Sequence, residues 1–439
     1  MRLVQITPGS GDQFYCENCL RDAALVRALR AEGVDVVLVP MYLPLSLDGD
    51  ELLERTEIFF GGVSVYLQQK FGLAGRFPDW LRRWLDSESL LRHVSKRAGM
   101  TSARQLGEMT LSMLNGPSGR QAAELERLGE FLSALPNKPD AIVLSNLLLA
   151  GLAPHLKERL KCQVLCWLQD EDGFVDALGA PWTEQVWNRL KQLAEVFDFF
   201  LPVSRYYAEV MEQRLEIPRE KMFVCPPGLE MSDYKPAPSP PAVPTIGFLG
   251  RMSAVNGLDI LAEAFLSLAS SKGLEQCRLL VCGGKNAADE AELRRLRDKL
   301  KRAGLSGRVE FLERFEKSQR LLFLQRLTVL CSPVRFQPAY AMNVLEAMAC
   351  GVPFAAPRCG VYPEWAQCTG GGLLYEPNEP RVLCEVLEPL LREPQKAAAL
   401  GSAGRQAVLE QFDIRRTARR LLGRFEGKRV ERESLGDIG

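Results

Sequence analysis

Residues 245–268 read TIGFLGRMSAVNGLDILAEAFLSL. The apolar run at 245–249 predicts a buried strand, and the apolar periodicity of 257–268 predicts a helix. The turn between them begins with Gly250 and Arg251. A strand that leads through a glycine turn into a helix is the repeating unit of a parallel sheet covered by helices. This stretch therefore predicts an α/β fold.

The same alternation of strand and helix extends along the chain in both directions. Residues 73–136 interrupt it, because their apolar residues recur at helical spacing, and we predict a helical insertion there. The other predicted strands are 3–7, 34–40, 141–145, 164–168, 199–204, 223–226, 278–282, 309–312, 328–331 and 353–356.

The chain is long enough for two domains. It has 439 residues, whereas single cores stop growing beyond about 250–300 residues. Residues 234–244 contain five prolines in eleven positions, and proline at this density excludes helix and interior strand. We predict two doubly wound, Rossmann-like domains facing a cleft, at 1–235 and 245–412. A C-terminal helix at 413–439 is expected to pack back toward the first domain.

The charge balance argues against nucleic acid as a partner. Lys and Arg number 55, as do Asp and Glu, so the chain as a whole does not attract a polyanion. The N-terminus reads as a strand rather than a signal peptide. The longest apolar run, at 141–154, falls short of the ~20 residues that a membrane span needs. We expect a cytoplasmic protein that could at most contact a membrane peripherally.

Metal binding is not expected from the cysteine pattern. The 12 cysteines are mostly scattered singly, which is typical of reduced thiols in a cytosolic protein. Cys16 and Cys19 form a C-x-x-C pair, but the chain has only two histidines and no second pair at zinc-finger spacing. The acidic run at 170–172 is interpreted as a loop after a strand, not as a metal site.

Three loops that follow predicted strands are candidates for ligand binding, since ligands bind beyond the carboxyl ends of parallel strands. They span 8–18, 250–257 and 332–346. The guanidinium of Arg251 is suited to a pyrophosphate, although a surface arginine in a turn is equally compatible. The third loop enters a short helix whose N-terminus can bind a phosphate. Glu346, about one turn into that helix, is either an acceptor for ribose hydroxyls or a solvent-facing residue.

Several stretches together resemble the family 4 glycosyltransferases, in the same order along nearly the whole chain. The resemblance implies the GT-B architecture of two Rossmann-like domains. The stretches are TPGSGDQFYCENCLRDAALVRALRAEGVDVVLVP (7–40), LPVSRYYAEVM (201–211), VCPPGLE (224–230), GFLGRMSAVNGLDILAEAF (247–265), VLEAMACGVPFAAPRCGVYPEW (344–365) and GGGLLYEPNEP (370–380).

The resemblance also implies roles for individual residues. Arg251 would contact the donor diphosphate and Glu346 the nucleotide ribose, and these two are the catalytic candidates. Glycines in the first loop would let the backbone approach the transferred phosphate, which a side chain would prevent. The donor-binding candidates are Gly9, Gly11, Arg251, Asn256, Ala341, Met342, Asn343 and Glu346. No cofactor is expected besides the nucleoside diphosphate sugar, which is the donor substrate.

The chain departs from the family pattern at four positions. Asn256 stands where the family usually has Lys, Pro338 where it has the first Glu of a Glu-x7-Glu pair, and Ala341 where it has Gly. Gln169 replaces a His of the first-domain cleft. Losing one group that stabilises the transition state typically costs about 2.7–4 kcal/mol. Gln169 and Lys285 are candidates for polar groups in the cleft, and Lys285 could replace the missing cation.

The function expected from the resemblance is a retaining glycosyltransferase. It would transfer a hexose from a nucleoside diphosphate sugar to a glycan or to a lipid-linked acceptor. Two alternatives remain open: a catalytically impaired protein that binds sugar nucleotides, and a sugar-nucleotide epimerase. A dehydrogenase is disfavoured, because the first loop lacks the third glycine of the dinucleotide fingerprint. The aromatic and basic residues of 80–97 predict either a membrane-surface helix or a wall of the acceptor site.

Overall fold

The computed structural model describes residues 1–8, 17–41, 103–313 and 316–425. The chain divides into two compact units, Met1–Pro226 and Pro227–Gly439. Each unit contains a parallel β-sheet with helices between successive strands. The predicted α/β class and the two doubly wound domains are therefore confirmed.

The first unit is built on a sheet with the strand order β2-β1-β3-β4-β5. Every residue of β3 and β5 is buried, which is why these strands read as unbroken apolar runs. The strands are β1 (Arg2–Thr7), β2 (Asp35–Pro40), β3 (Ala141–Leu144), β4 (Gln163–Leu168) and β5 (Phe199–Pro202). The helices are α1 (Glu17–Ala31), α2 (Ala103–Leu114), α3 (Ala122–Ser133), α4 (Ala153–Leu160), α5 (Glu171–Asp176), α6 (Trp182–Ala194) and α7 (Arg205–Leu215).

The strand predicted at 223–226 is wrong. The segment runs beside β5, where the Phe223 and Cys225 N–H groups each donate to a β5 carbonyl over 2.9 Å. Pro226 and Pro227 follow directly and have no N–H group with which to extend a ladder. The segment therefore stays an irregular edge.

The second unit is built on a sheet with the strand order β11-β10-β9-β6-β7-β8. Its strands are β6 (Thr245–Leu249), β7 (Arg278–Cys282), β8 (Val309–Leu312), β9 (Val329–Cys331), β10 (Phe354–Pro357) and β11 (Gly372–Tyr375). Its helices are α8 (Leu258–Leu268), α9 (Glu290–Arg302), α10 (Lys317–Leu324), α11 (Met342–Ala349), α12 (Tyr362–Thr369), α13 (Pro380–Arg392), α14 (Pro394–Gln411) and α15 (Ile414–Phe425). Strand β11 was not predicted.

Apolar side chains of α8 and α13 form much of the core of this second unit. Leu261 and Phe265 of α8 and Leu383 and Leu387 of α13 have no exposed surface. Burial of each such side chain contributes about 1.5–3 kcal/mol. The core fixes the sheet, and the sheet in turn fixes the loops at its carboxyl edge.

The strand order reverses between β1 and β3 in the first sheet and between β6 and β9 in the second. In doubly wound sheets, ligands bind in the crevice at this reversal, beyond the carboxyl ends of the strands. The loops after β6 and β9 are two of the three loops selected from the sequence. The topology thus places them next to each other.

The boundary between the units lies at Pro226 and Pro227, before the predicted limit at residue 235. The segment that follows belongs to the second unit, where the Leu229 N–H donates to Phe412 O over 2.8 Å and Ile414 N–H donates to Leu229 O over 3.0 Å. Helix α15 ends at Phe425 in the described part of the chain. Its packing against the first domain stays a prediction.

The insertion predicted at 73–136 is helical where the structure describes it, in α2 and α3. The basic and aromatic residues of 80–97 lie outside the described residues. Among the helices that are described, none is long and apolar enough to cross a membrane. Peripheral membrane contact stays a prediction.

Candidate functional site

The loops after β6 and β9 are in direct contact at the strand reversal of the second unit. Gly257 begins α8 with φ +75°, and a Cβ there would lie 1.8 Å from Pro333 O. Only glycine fits this approach. The Arg335 N–H donates to Val255 O over 2.9 Å, so the two loops form one continuous surface at the carboxyl edge.

Arg251, the diphosphate candidate, leaves the end of β6 and forms a two-pronged ion pair. Its Nε donates to Asp289 Oδ2 over 2.8 Å, and a second guanidinium nitrogen donates to Oδ1 over 2.9 Å. Hydrogen bonding to Arg251 lowers the pKa of Asp289, and hydrogen bonding to Asp289 raises the pKa of Arg251. The Arg251 side chain is 48% exposed, so it remains accessible to a ligand.

Asn256 stands at the position of the missing lysine, and Lys285 is the candidate to replace its charge. Both side chains form contacts within the protein. Asn256 Oδ1 accepts from Ser253 Oγ over 2.9 Å, which stabilises the turn before α8. Lys285 Nζ donates to Glu313 Oε1 over 2.9 Å and lies 3.6 Å from Glu290 Oε1. The Lys285 charge is therefore already neutralised by carboxylates.

Helix α11 is attached to β6 at its N-terminus. Asn343 Nδ2 donates to Leu249 O at the end of β6 over 2.8 Å, and Asn343 Oδ1 accepts from the Val344 N–H over 3.0 Å. Met342 is buried and anchors the first turn. Because Leu249 is only two residues before Arg251, the start of α11 lies beside the loop that carries Arg251.

Ala341 occupies a backbone conformation that favours glycine. It precedes α11 with φ +50° and ψ +68°, in the left-handed region. An L-residue there costs about 1–2 kcal/mol. The turn geometry is thus retained although the family's glycine has been replaced.

Glu346 is buried, not solvent-facing. Its Oε1 accepts from Tyr234 Oη over 2.8 Å and from an Arg320 guanidinium nitrogen over 2.9 Å. The Glu346 side chain is 3% exposed and that of Arg320 is 6% exposed. Glu346 Oε2 is buried and has no hydrogen-bond partner among the described residues.

Pro338 has taken the place of the family's first Glu in a tightly packed corner. It is buried, and its carbonyl accepts from the Val361 N–H over 3.0 Å. Gly360 has φ +55°, and a Cβ there would lie 2.6 Å from Pro338 Cδ. At this position the chain has an apolar contact instead of a carboxylate.

In the first unit, Gln169 belongs to a buried polar cluster at the carboxyl ends of β3 and β4. Gln169 Oε1 accepts from the Arg21 guanidinium, and Gln169 Nε2 donates to Ser145 O over 3.2 Å. Arg21 also pairs with Asp22 at 2.5 Å and lies 4.4 Å from the centre of the Trp167 ring. Arg21 and Asp22 are almost fully buried.

The acidic run at 170–172 contributes Glu171 to the same buried polar cluster. Glu171 accepts from the Leu147 N–H over 3.0 Å, from the Gln169 N–H over 2.6 Å and from Tyr207 Oη over 2.9 Å. Burial raises the pKa of Glu171, although these three donors oppose the shift. Glu171 therefore holds the loop after β4 in place. No group of three or more metal-ligating side chains occurs within 1–8, 17–41, 103–313 and 316–425.

Comparison with known proteins gives a family match for part of the chain. Residues 233–407 match the family model described as glycosyl transferases group 1. This range contains Arg251, Glu346 and both loops of the strand reversal. The similarity to this family therefore lies within the second unit.

Curated relatives of the chain carry related names. It is 26% identical over 230 residues to a D-inositol 3-phosphate glycosyltransferase of Corynebacterium jeikeium, covering 48% of this chain and 54% of the relative. It is 28% identical over 212 residues to the protein of that name in Rhodococcus opacus, covering 46% and 47%. The chain thus spans about half the length of the curated relatives it matches.

Solved structures extend the similarity of fold to both units. Sucrose-phosphate synthase from Thermosynechococcus elongatus superposes with a TM-score of 0.70 at 18% identity, over 97% of this chain and 98% of that one. Anabaena HepE, solved with UDP and glucose, superposes with a TM-score of 0.66 at 15% identity, over 97% and 100%. The GT-B fold inferred from the sequence is confirmed.

Four charged residues at these sites were not found from the sequence. Asp289 and Arg320 pair with the two main candidates of the second unit, and Arg21 and Asp22 anchor the cluster around Gln169. Each is a charged residue on or next to a helix, where most charged side chains face solvent. The adjacent, oppositely charged Arg21 and Asp22 beside a candidate loop were the available signal. Gly9 and Gly11 lie outside the described residues.

Proposed function

We propose that the chain is a retaining glycosyltransferase that transfers a hexose from a nucleoside diphosphate sugar. The observation that carries this proposal is the attachment of the α11 N-terminus to the end of β6 by Asn343. It brings together a helix N-terminus and the Arg251 loop at the strand reversal. A diphosphate placed there would meet backbone N–H donors and a guanidinium.

A uridine nucleotide is the first donor to test. HepE has been solved with UDP and with UDP-glucose, and it shares the fold with this chain. The acceptor we propose is a glycan or a lipid-linked sugar. The names of the curated relatives, which specify an inositol phosphate acceptor, concern proteins that the chain matches over only about half of their length.

The proposed mechanism depends on stabilising the leaving diphosphate. Arg251 and the first turn of α11 would receive the charge that develops as the bond to the sugar breaks. Arg251 must share or release Asp289 to do so, because both carboxylate oxygens of Asp289 already hold it. The new glycosidic bond would form on the face from which the diphosphate leaves.

A binding protein with little turnover is the second candidate. It is favoured by Asn256, which is neutral, and by Lys285, whose charge is paired with Glu313. In that case the domain would hold a sugar nucleotide without promoting departure of the diphosphate.

An enzyme and a binding protein are separated by their turnover. The assay measures release of the nucleoside diphosphate from a panel of nucleotide sugars, with and without glycan acceptors. For an enzyme limited by the missing charges, the double variant Asn256→Lys with Pro338→Glu should raise turnover at least about tenfold, which corresponds to 1.4 kcal/mol of transition-state stabilisation. The variant Asn256→Gln adds no charge and is the matched control. Unchanged background turnover in the double variant, together with altered affinity, would identify a binding protein.

A further inference from the structure

A further loop at the carboxyl edge of the second sheet begins with Arg358, which follows β10 directly. Its side chain is exposed. Among the residues that the structure describes, including Glu376 after β11, none forms a hydrogen bond or ion pair with its guanidinium. By contrast, three basic side chains in the loops after β6, β7 and β9 are paired with carboxylates: Arg251 with Asp289, Lys285 with Glu313 and Arg335 with Asp259.

The loop that begins with Arg358 packs against the loop after β9. Cys359 Sγ donates to Phe336 O over 3.5 Å, and the Val361 N–H donates to Pro338 O over 3.0 Å. Pro338 stands where the family has a carboxylate. The chain therefore has an exposed arginine beside a loop from which a negative charge has been lost. The Phe336 side chain, 40% exposed, gives the same loop an apolar surface.

The strand order places Arg358 on one side of Arg251. Strands β10, β9 and β6 are successive neighbours in the sheet, and neighbouring strands lie about 4.8 Å apart, so β6 and β10 are about 10 Å apart. One diphosphate and one pyranose ring together span such a distance. The opposite side, toward β7 and β8, carries the carboxylates of Asp289, Glu290 and Glu313. Charge therefore favours an anionic group on the β10 side.

We propose that Arg358 binds a carboxylate on the transferred sugar, so that the donor is a nucleoside diphosphate hexuronic acid. This inference rests on the proposed function, because it requires the diphosphate to lie at Arg251 and the start of α11. A hexuronic acid is a hexose whose C6 is a carboxylate instead of a hydroxymethyl group. A guanidinium can donate two parallel hydrogen bonds to such a carboxylate, whereas a C6 hydroxyl forms no ion pair.

The test compares donors that differ only at C6, in calorimetric titrations of the full chain. The pairs are UDP-glucuronate with UDP-glucose and GDP-mannuronate with GDP-mannose, and UDP and GDP alone are titrated beside them. In one pair, the unmodified chain should bind the uronate at least about fivefold more tightly than the neutral sugar, the upper end for an exposed ion pair. The ratio of these two affinities is the uronate preference.

Variants of Arg358 show whether the uronate preference depends on its guanidinium. Arg358→Gln should bring the preference to about one and leave the affinity for the neutral donor within about twofold. Arg358→Lys should retain part of the preference, because it keeps the charge but not the planar fork. Arg335→Gln is the matched control, since it removes a cation from the same edge whose partner is Asp259. It should keep the preference of the unmodified chain.

Three results would overturn the inference and leave the proposed function standing. The first is a neutral donor that binds as tightly as its uronate in the unmodified chain. The second is equal weakening of both donors by Arg358→Gln, which would assign Arg358 to the diphosphate. The third is an equal loss of the preference in Arg335→Gln, which would assign it to the general charge of the edge. Absence of binding by UDP, GDP and all four nucleotide sugars would instead overturn the proposed function itself.

Discussion

Replacing Ala341 with glycine should stabilise the second unit, since Ala341 is in the left-handed region with φ +50°. An L-residue there costs about 1–2 kcal/mol relative to its preferred conformation. Glycine avoids that cost but loses about 0.5–1 kcal/mol more backbone entropy on folding than alanine does. The midpoints of these two ranges differ by about 0.75 kcal/mol, which is the gain predicted for Ala341→Gly.

The gain can be measured by urea unfolding and by calorimetric melting of the full chain. For a folding unit of about 200 residues, 1 kcal/mol corresponds to roughly 2–4 °C in Tm. Gly370→Ala is the matched reverse change. Gly370 has φ +63° at the end of α12, and its added Cβ would lie 3.9 Å from Ala403 Cβ, in ordinary contact. Gly370→Ala should therefore lose about 1 kcal/mol through backbone conformation alone. A lower Tm for Ala341→Gly, or changes of the same sign in both variants, would refute the reasoning.

Two further predictions concern charge and thiols. Asp289→Asn should bind a nucleoside diphosphate a few-fold more tightly, because it removes a negative charge that holds Arg251. In the same variant, the free energy of unfolding should fall less steeply as the pH is lowered into the acidic range. The Arg251 hydrogen bond lowers the folded-state pKa of Asp289, so the pair stabilises the fold above about pH 4, the unfolded pKa, and this contribution is lost as the pH falls through the folded-state pKa. Melting scans between pH 3 and pH 7 test this, and the same loss of Tm with falling pH in the variant and in the unmodified chain would contradict it. Burial raises the pKa of Cys162 and of Cys359 to about 11, so both should react with iodoacetamide at pH 8 at least about tenfold more slowly in the native chain than in urea. Mass spectrometry of the labelled peptides measures this, and equal rates would contradict the burial of these thiols.

The helices and most of the strands were predictable, because the periodicity of apolar residues and the amino-acid composition of each segment determine them. Strands such as β3 and β6 are short apolar runs buried at every position, and their alternation with helices requires a parallel sheet. The segment 223–226 has the same apolar character, but it ends in Pro226 and is followed by Pro227, and these two prolines outweigh that character. Strand β11 begins among glycines at 370–372, and glycine is depleted in strands. The structure requires glycine at this strand position, because a Cβ at Gly372 would lie 2.1 Å from the Phe354 ring.

The loops that contain the candidate residues were predictable from the sequence, whereas the contacts of those residues were not, and their function stays a prediction. The loops after β6 and β9 follow from topology, and the resemblance to the family 4 glycosyltransferases selects Arg251 in the first of them and Glu346 in the helix after the second. Sequence spacing contains no information on which distant polar side chain contacts each of them. Asp289 is 38 residues from Arg251, and Tyr234 is 112 residues from Glu346. These pairings, and the burial of Glu346, depend on how the helices pack across the sheet.

The central claim is that Arg251 and the start of α11 bind a nucleoside diphosphate. Calorimetric titration of the full chain and of Arg251→Ala with UDP, GDP and ADP tests it most directly. Arg326→Ala is the control, because it also removes an exposed arginine from an ion pair with a carboxylate. We predict that one nucleotide binds, that Arg251→Ala weakens it by about 1.5–3 kcal/mol, the range for hydrogen bonds to charged groups, and that Arg326→Ala has no effect. No detectable binding of any of the three to the unmodified chain, or equal affinity in Arg251→Ala, would contradict the claim.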